Sequence, residues 1–427
     1  MARPRAVVLV TGSELVRGAI EDENSGFLAG ELTARGLEPV RIVAVGDRPP
    51  ELERALAEAT EADLCVISGG LGPTHDDRTI ELIARVTGRE LVVDERLRAE
   101  IEGVSRSVAE RLGRPFADFA EGIEKQATLP SGGVSLGLAG TAPAVLLEHD
   151  GRVAVALPGP PGELRRLWPA ALGHQAVVRL LTRVPETEHR VLRFFGPSES
   201  AVARAVAEGG GEADGLEITV CARDLEIQVD LVAEEVGRRR ADEVERALRE
   251  RFETALFAED DRPVHEVVLE ECREAGLTLA TAESCTGGLL GTRLTSVPGA
   301  SDVYLGGAVT YSDAAKAALL GVPEDVLAEY GAVSAETAAA MTDGALRVFA
   351  SDVAAAVTGI AGPGGGTAEK PVGLVFVHAV TPDAAEGVEL NLPGDREAIR
   401  SRAAASAFHL LRRLLTQTVT LSRASAR

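Results

Sequence analysis

Residues 282–288 read AESCTGG, so a hydroxyl and a thiol stand side by side at Ser284 and Cys285, with Thr286, Gly287 and Gly288 behind them. Further along, TYSDAAK (310–316) brings a phenol, Tyr311, and an amine, Lys316. Hydrolysis of a carboxamide needs such a set: a nucleophile, a base, donors for the oxyanion and a proton for departing ammonia. The two nucleophiles compete. A cysteine amidase normally pairs with histidine, but His265 starts a helical stretch and His378 lies inside a strand-like one. A lysine serves as base once burial or nearby cations lower its pKa. The set therefore reads as Ser284 attacking, Lys316 taking and returning the proton, and Tyr311 orienting the lysine or relaying a proton. Ser284 opens the helix that begins with CTGGLLGTRLTS, which frees the N–H groups of Cys285, Thr286 and Gly287 for an oxyanion hole. Taken alone, Ser284 is equally an ordinary helix N-cap, and Cys285 a small, half-buried residue of the first turn.

Two glycine-rich stretches invite phosphate. TGIAGPGGGT (358–367) follows a strand-like run. Thr358 stands at the strand end, and Gly359, Gly362 and Gly364 open the backbone to a phosphate and ribose, with Lys370 as a support. Alone, that stretch is an exposed loop. SGGLGPTHDD (68–77) places Gly69, Gly70 and Gly72 after a strand, then Thr74 as a helix cap and the pair Asp76 and Asp77. Adjacent carboxylates beside a phosphate pocket suggest a divalent metal, with Glu14 of TGSELVRG as a further ligand and Asn24 of DENS close by in sequence. On spacing alone, the plainer reading is that both aspartates face a helix dipole.

The elements that must position these groups are α/β. In the first third, short apolar runs ending in glycine alternate with helical stretches, which predicts a parallel sheet covered on both faces, with ligands at the carboxyl ends of its strands. A second α/β domain begins near Pro263. Between them, residues 189–255 run β-α-β-β-α, an order shared with small RNA-binding modules of the KH type but without their GXXG clamp. This stretch reads as a spacer or dimer element. The expected organisation is two three-layer α/β domains joined by a small α+β bridge, divided as 1–172, 173–258 and 259–427.

A net charge of −22 over 427 residues argues against direct nucleic-acid binding. Four scattered cysteines give neither a zinc knuckle nor a disulfide framework. The apolar run after MARPR is too short for a signal peptide, and no run approaches membrane-span length, so a cytoplasmic enzyme is expected.

TGSELVRG, ENSGFLAGELTARG, SGGLGPTHDD, GTAP (140–143) and LPGPPGEL together resemble the amino-terminal domain of the competence-damage-inducible protein CinA family, itself similar to molybdopterin-binding proteins. The resemblance implies a pyrophosphatase using Mg, Mn or Co on ADP-ribose or related dinucleotides. Its site would comprise Glu14, Asn24, Gly69, Gly70, Gly72, Thr74, Asp76 and Asp77. Gly137 and Leu138 stand where the family usually has Asn-Pro, and Ala144 where it has Gly. AESCTGG, TYSDAAK, GAVS (331–334), TGIAGPGGGT and KPVG (370–373) resemble the nicotinamide-mononucleotide deamidase domain of the same family. That resemblance implies conversion of nicotinamide mononucleotide to nicotinate mononucleotide and ammonia without a cofactor, in a homodimer. Ser284, Lys316, Tyr311 and Thr358 would form the catalytic set, and Arg396, in preference to Arg400, would contact the phosphate. Read from position alone, either arginine is a surface ion pair with Glu397 or Asp395. The rival expectation, from another class, is an interaction protein of competence or DNA recombination with degenerate sites.

Overall fold

The computed structural model describes residues 3–425, in two compact units, Met1–Thr187 and Glu188–Arg427. The first unit is built on a six-stranded sheet of β1 (Arg5–Thr11), β2 (Glu38–Val45), β3 (Leu64–Ser68), β4 (Val134–Leu138), β5 (Pro143–His149) and β6 (Arg152–Leu157), in the order β2-β1-β3-β6-β5-β4. The first four strands in that order are mutually parallel, as expected. The edge is not: β5 and β4 run antiparallel, so the sheet is mixed. Tight turns, with left-handed Asp150 and Gly151 between β5 and β6, let these strands reverse where a crossover helix would have kept them parallel.

Both faces of this sheet are buried. On β1, Ala6, Val8 and Val10 point to one side, where they meet Leu28 and Leu32 of α1 (Asn24–Ala34) and Leu164 and Trp168 of α4 (Pro161–Gly173). Val7 and Leu9 point to the other, against Leu52 and Leu56 of α2 (Pro49–Ala59) and Leu82 of α3 (Thr79–Val86). The period-two alternation of a strand thus feeds two cores, each such side chain contributing about 1.5–3 kcal/mol of burial.

The second unit begins with a small four-stranded sheet: β7 (Thr187–Phe195), β8 (Leu216–Arg223), β9 (Glu226–Glu234) and β10 (Leu256–Ala258), in the order β8-β9-β7-β10. Helices α5 (Glu199–Glu208) and α6 (Arg238–Phe252) cover it through Val202, Ala205, Val244 and Leu248. Helix α7 (Val264–Ala275) then leads into a five-stranded sheet of β11 (Leu279–Glu283), β12 (Tyr304–Val309), β13 (Val353–Gly359), β14 (Leu374–Val380) and β15 (Ala385–Asn391). Its order is β12-β11-β13-β14-β15, parallel across the first three strands and antiparallel beyond. On β13, Val353, Ala355 and Val357 face α7 and α11 (Arg396–Ser425). Ala354 and Ala356 face Met341 and Ala345 of α10 (Ala335–Phe349). Two shorter helices, α8 (Leu289–Thr295) and α9 (Asp313–Leu320), follow β11 and β12. The carboxyl ends of β11 and β13 are neighbours in register, Glu283 beside Val357, and the candidate nucleophile stands immediately after them.

Candidate functional site

Strand β11 does not run straight into a helix. Gly287 and Gly288 take left-handed φ of 61° and 95°, so residues 284–288 form a tight turn and α8 opens only at Leu289. The expectation that the helix opens at Ser284 is corrected accordingly. Ser284 stands at the strand tip, tied to β13 by its N–H, which donates to Val357 O at 2.9 Å. Ser312 caps α9 and its chain presents Lys316 inward, 1 % exposed. Lys316 Nζ lies 3.1 Å from Ser284 Oγ and 3.0 Å from Thr310 O. No carboxylate forms a salt bridge with it among the described residues. Burial pulls its pKa below the ordinary lysine value, with Asp313 only partly opposing.

Cys285 points the other way, into the core beside Leu290 and Leu294. Burial pushes its thiol up to about 11, so at neutral pH it is not a thiolate. The N–H groups of Cys285 and Thr286 donate to no main-chain carbonyl among the described residues, but that of Gly287 donates to Ser284 O at 3.1 Å. The oxyanion donors available are thus two, not the three expected. The reason is the turn itself, which closes through the Gly287 N–H.

Two residues that the sequence reading left out of the site hold this turn. Glu283 is a buried carboxylate that accepts from the N–H groups of Gly288 and Leu290 at 3.0 Å each and of Gly291 at 2.9 Å. It satisfies the free donors at the start of α8, where a negative charge is favoured. The available signal was an acidic residue closing the apolar run LTLATA. Arg400, expected as a phosphate contact or a surface ion pair, donates to Thr286 O at 2.7 Å.

Tyr311 does not reach Lys316. It is largely exposed, and its hydroxyl accepts from Arg396 Nη2 at 2.8 Å, while Arg396 Nη1 donates to Gly362 O at 2.6 Å. The structure therefore places Tyr311 with the arginine and the glycine loop. Thr358 is fully buried and donates to Ala332 O at 2.6 Å, pinning the GAVS segment. Lys370 pins the same segment through Tyr330 O and Val333 O at 2.7 and 2.6 Å. Gly359 ends β13, and Gly364 lies in the exposed loop beyond it.

In the first unit, a cavity of about 530 Å³ opens at the carboxyl ends of β1 and β3. Glu14, Asn24, Gly69, Gly70, Gly72, Asp76 and Asp77 all line it; Thr74 does not. Gly69 has φ 105°, and a Cβ there would lie 2.4 Å from Thr11 O. Asn24 donates from Nδ2 to Ser68 Oγ and Gly159 O at 2.9 and 2.7 Å, and its buried Oδ1 has no partner among the described residues. Thr74 Oγ1 instead bonds the carboxylates of both Asp76 and Asp77, the latter at 2.6 Å. Among the described residues no three His, Cys, Asp or Glu side chains converge as metal ligands. Glu14, Asp76 and Asp77 line one cavity but do not converge as they stand, both aspartates being bonded to Thr74. Asp47 and Glu163 also line the cavity and were not anticipated. Asp47 accepts from Thr11 Oγ1 and Ser13 N at 3.0 and 2.8 Å, and burial raises the Glu163 carboxyl. Among the described residues no helix is long and apolar enough to cross a membrane.

Known proteins match both units. The CinA C-terminal domain model matches residues 261–415, and the model of a probable molybdopterin binding domain matches residues 7–175. A CinA-like protein of Mycobacterium sp. (strain JLS) is 42% identical over 422 residues, covering 96% of this chain and 99% of its own. That of Mycobacterium avium (strain 104) is 41% identical over 430 residues, covering 96% and 98%. Among solved structures, the competence/damage inducible protein CihA from Agrobacterium tumefaciens is 41% identical over 36% of this chain and 93% of its own, with a TM-score of 0.35. The chain belongs to the family of CinA-like proteins.

Proposed function

We propose that the second unit is an amide hydrolase acting on nicotinamide mononucleotide and releasing nicotinate mononucleotide and ammonia. One observation carries the reading: the buried amine of Lys316 lies 3.1 Å from Ser284 Oγ. In the neutral state this amine accepts the Ser284 proton as Oγ attacks the carboxamide carbon. The Cys285 and Thr286 N–H groups receive the developing oxyanion. Lys316 then returns the proton to the leaving nitrogen, and ammonia departs. Water attacks the acyl-enzyme, Lys316 takes its proton, and Ser284 is restored as the acid leaves. Arg396, Tyr311 and the loop from Gly359 to Gly366 form the polar rim that suits a phosphate and ribose.

The test is ammonia release from nicotinamide mononucleotide by the wild type, Ser284→Ala and Cys285→Ala. Loss of the nucleophile is expected to lower kcat by about 10³-fold or more, while Cys285→Ala stays active. Silence of the wild type beside an active control enzyme would sink the reading.

For the first unit, the cavity at the strand ends, with its left-handed glycines, supports binding of a nucleotide such as ADP-ribose. Its carboxylates do not fit a metal as they stand, so no hydrolytic step is derived for it.

A further inference from the structure

The small sheet of the second unit reaches the amide-hydrolase helices at the tip of one hairpin. Strands β8 and β9 are joined by Asp224 and Leu225, both left-handed, with φ of 52° and 68°. A two-residue hairpin of this hand prefers Asn-Gly or Asp-Gly, and a leucine there is strained. Such strain persists only where the surroundings over-determine it. Here they do: Leu225 O accepts from Gly196 N at 3.1 Å, and Asp224 Oδ2 accepts from Ser401 Oγ at 2.5 Å and Arg293 Nη2 at 3.3 Å.

These partners belong to two different helices. Arg293 is on α8 and Ser401 on α11, and they also bond each other, Arg293 Nη2 to Ser401 Oγ at 2.5 Å. The start of α8 is the segment whose N–H groups Glu283 holds. Arg400, the neighbour of Ser401, holds Thr286 O. The nucleophile turn is thus fastened at one end to α8 and at the other to α11, and Asp224 joins those two helices.

We propose that Asp224 is a positioning residue for amide hydrolysis. It fixes α8 against the first turns of α11 and so sets the Cys285 and Thr286 N–H groups relative to Ser284. The small sheet is then a brace of the catalytic turn. This rests on the amide-hydrolase reading above. A second attachment keeps the sheet in place without Asp224: Glu226 bonds His409 of α11 at 2.8 Å, and Phe195 stacks on the His409 ring at 3.8 Å.

The test compares the wild type, Asp224→Ala and Asp224→Asn in the full chain. Ammonia release from nicotinamide mononucleotide is measured together with amide hydrogen exchange at Gly288, Leu290 and Gly291. For Asp224→Ala, kcat is expected to fall about 10- to 100-fold with KM within about 2-fold, as for a small misplacement of reacting groups. Exchange at the three amides is expected to quicken. Asp224→Asn, which keeps an acceptor for Ser401, is expected to recover part of both. Unchanged kcat and unchanged exchange overturn the proposal, as does a parallel loss in kcat and KM that merely follows a lowered Tm. If Asp224→Ala does not fold, Ser401→Ala removes the bridging hydroxyl and is judged by the same outcomes. If the wild type releases no ammonia, the amidase reading fails, and the exchange data alone decide whether the brace exists.

Discussion

The Lys316 amine sits between Ser284 Oγ at 3.1 Å and the Thr310 carbonyl at 3.0 Å. A neutral amine has two N–H bonds and one lone pair. Thr310 O takes an N–H, which leaves the lone pair free to turn toward the serine hydroxyl. An ammonium in the same place would donate to both oxygens, so these two contacts fit either protonation state. Burial favours the neutral state, the one in which lysine is a base.

The pH profile should show this. The proposed mechanism requires neutral Lys316, so kcat/KM is expected to rise with pH along a single acid limb, centred below the ordinary lysine value because burial lowers that pKa. Lys316→Arg stays cationic and is expected to lose about 10²–10⁴-fold in rate, the range of general-base catalysis. A flat profile across that limb would contradict the assignment.

Stability should respond to the same group with a defined sign. The folded pKa lies below the unfolded one, so between the two the unfolded chain binds more protons and stability rises with pH. Lys316→Met removes the titrating amine and with it a hydrogen bond to Thr310 O worth about 1 kcal/mol. It is expected to melt within a few degrees of the wild type near neutrality and to lack the rise at higher pH. Calorimetry as a function of pH measures both.

Glu283 should matter more to the fold than its position at a strand end suggests. Glu283→Ala leaves three N–H groups of the turn and α8 without their acceptor, and each buried orphan costs about 1–3 kcal/mol. A loss of about 3 kcal/mol or more in urea unfolding is expected, with activity falling in parallel. Glu283→Gln retains one oxygen and should lose less.

In the first unit, Gly69→Ala places a Cβ against Thr11 O at a φ of 105°. Backbone strain of this kind costs about 1–3 kcal/mol. Titration calorimetry is expected to show ADP-ribose binding to the wild type and a weaker or absent response in the variant. Repeating the wild-type titration with and without Mn shows whether a cation draws Asp76 and Asp77 away from Thr74.

Much of the second unit's site was legible because its groups lie at strand ends that local pattern reveals. The runs YLGGAVTY and DVAAAVTG read as strands, and their tips bring Lys316 and Thr358 to the same edge as Ser284. What escaped was three-dimensional. Nothing local says that Tyr311 turns outward to Arg396, 85 residues further on. Glu283 looks solvent-facing on its own, because its partners are main-chain donors that exist only once the glycine turn has formed. Strand β15 carries Glu386 and Glu389 on an exposed edge, so its apolar alternation is diluted. In the first unit, the aspartate pair has the right residue types for a metal, but its bonding to a threonine three residues before Asp77 is not legible in the spacing.

The burial of Cys285 has a redox consequence. Peroxide attacks thiolates, and an enzyme that relied on a sulfur nucleophile would be silenced by conversion to the sulfenic or sulfinic acid. Here the sulfur next to Ser284 is enclosed and held as a thiol, while the atom proposed to attack is an oxygen that such oxidants leave alone. On the proposed mechanism the chemistry is uncoupled from the oxidative state of its surroundings, and turnover would continue under conditions that stop thiol-dependent hydrolases.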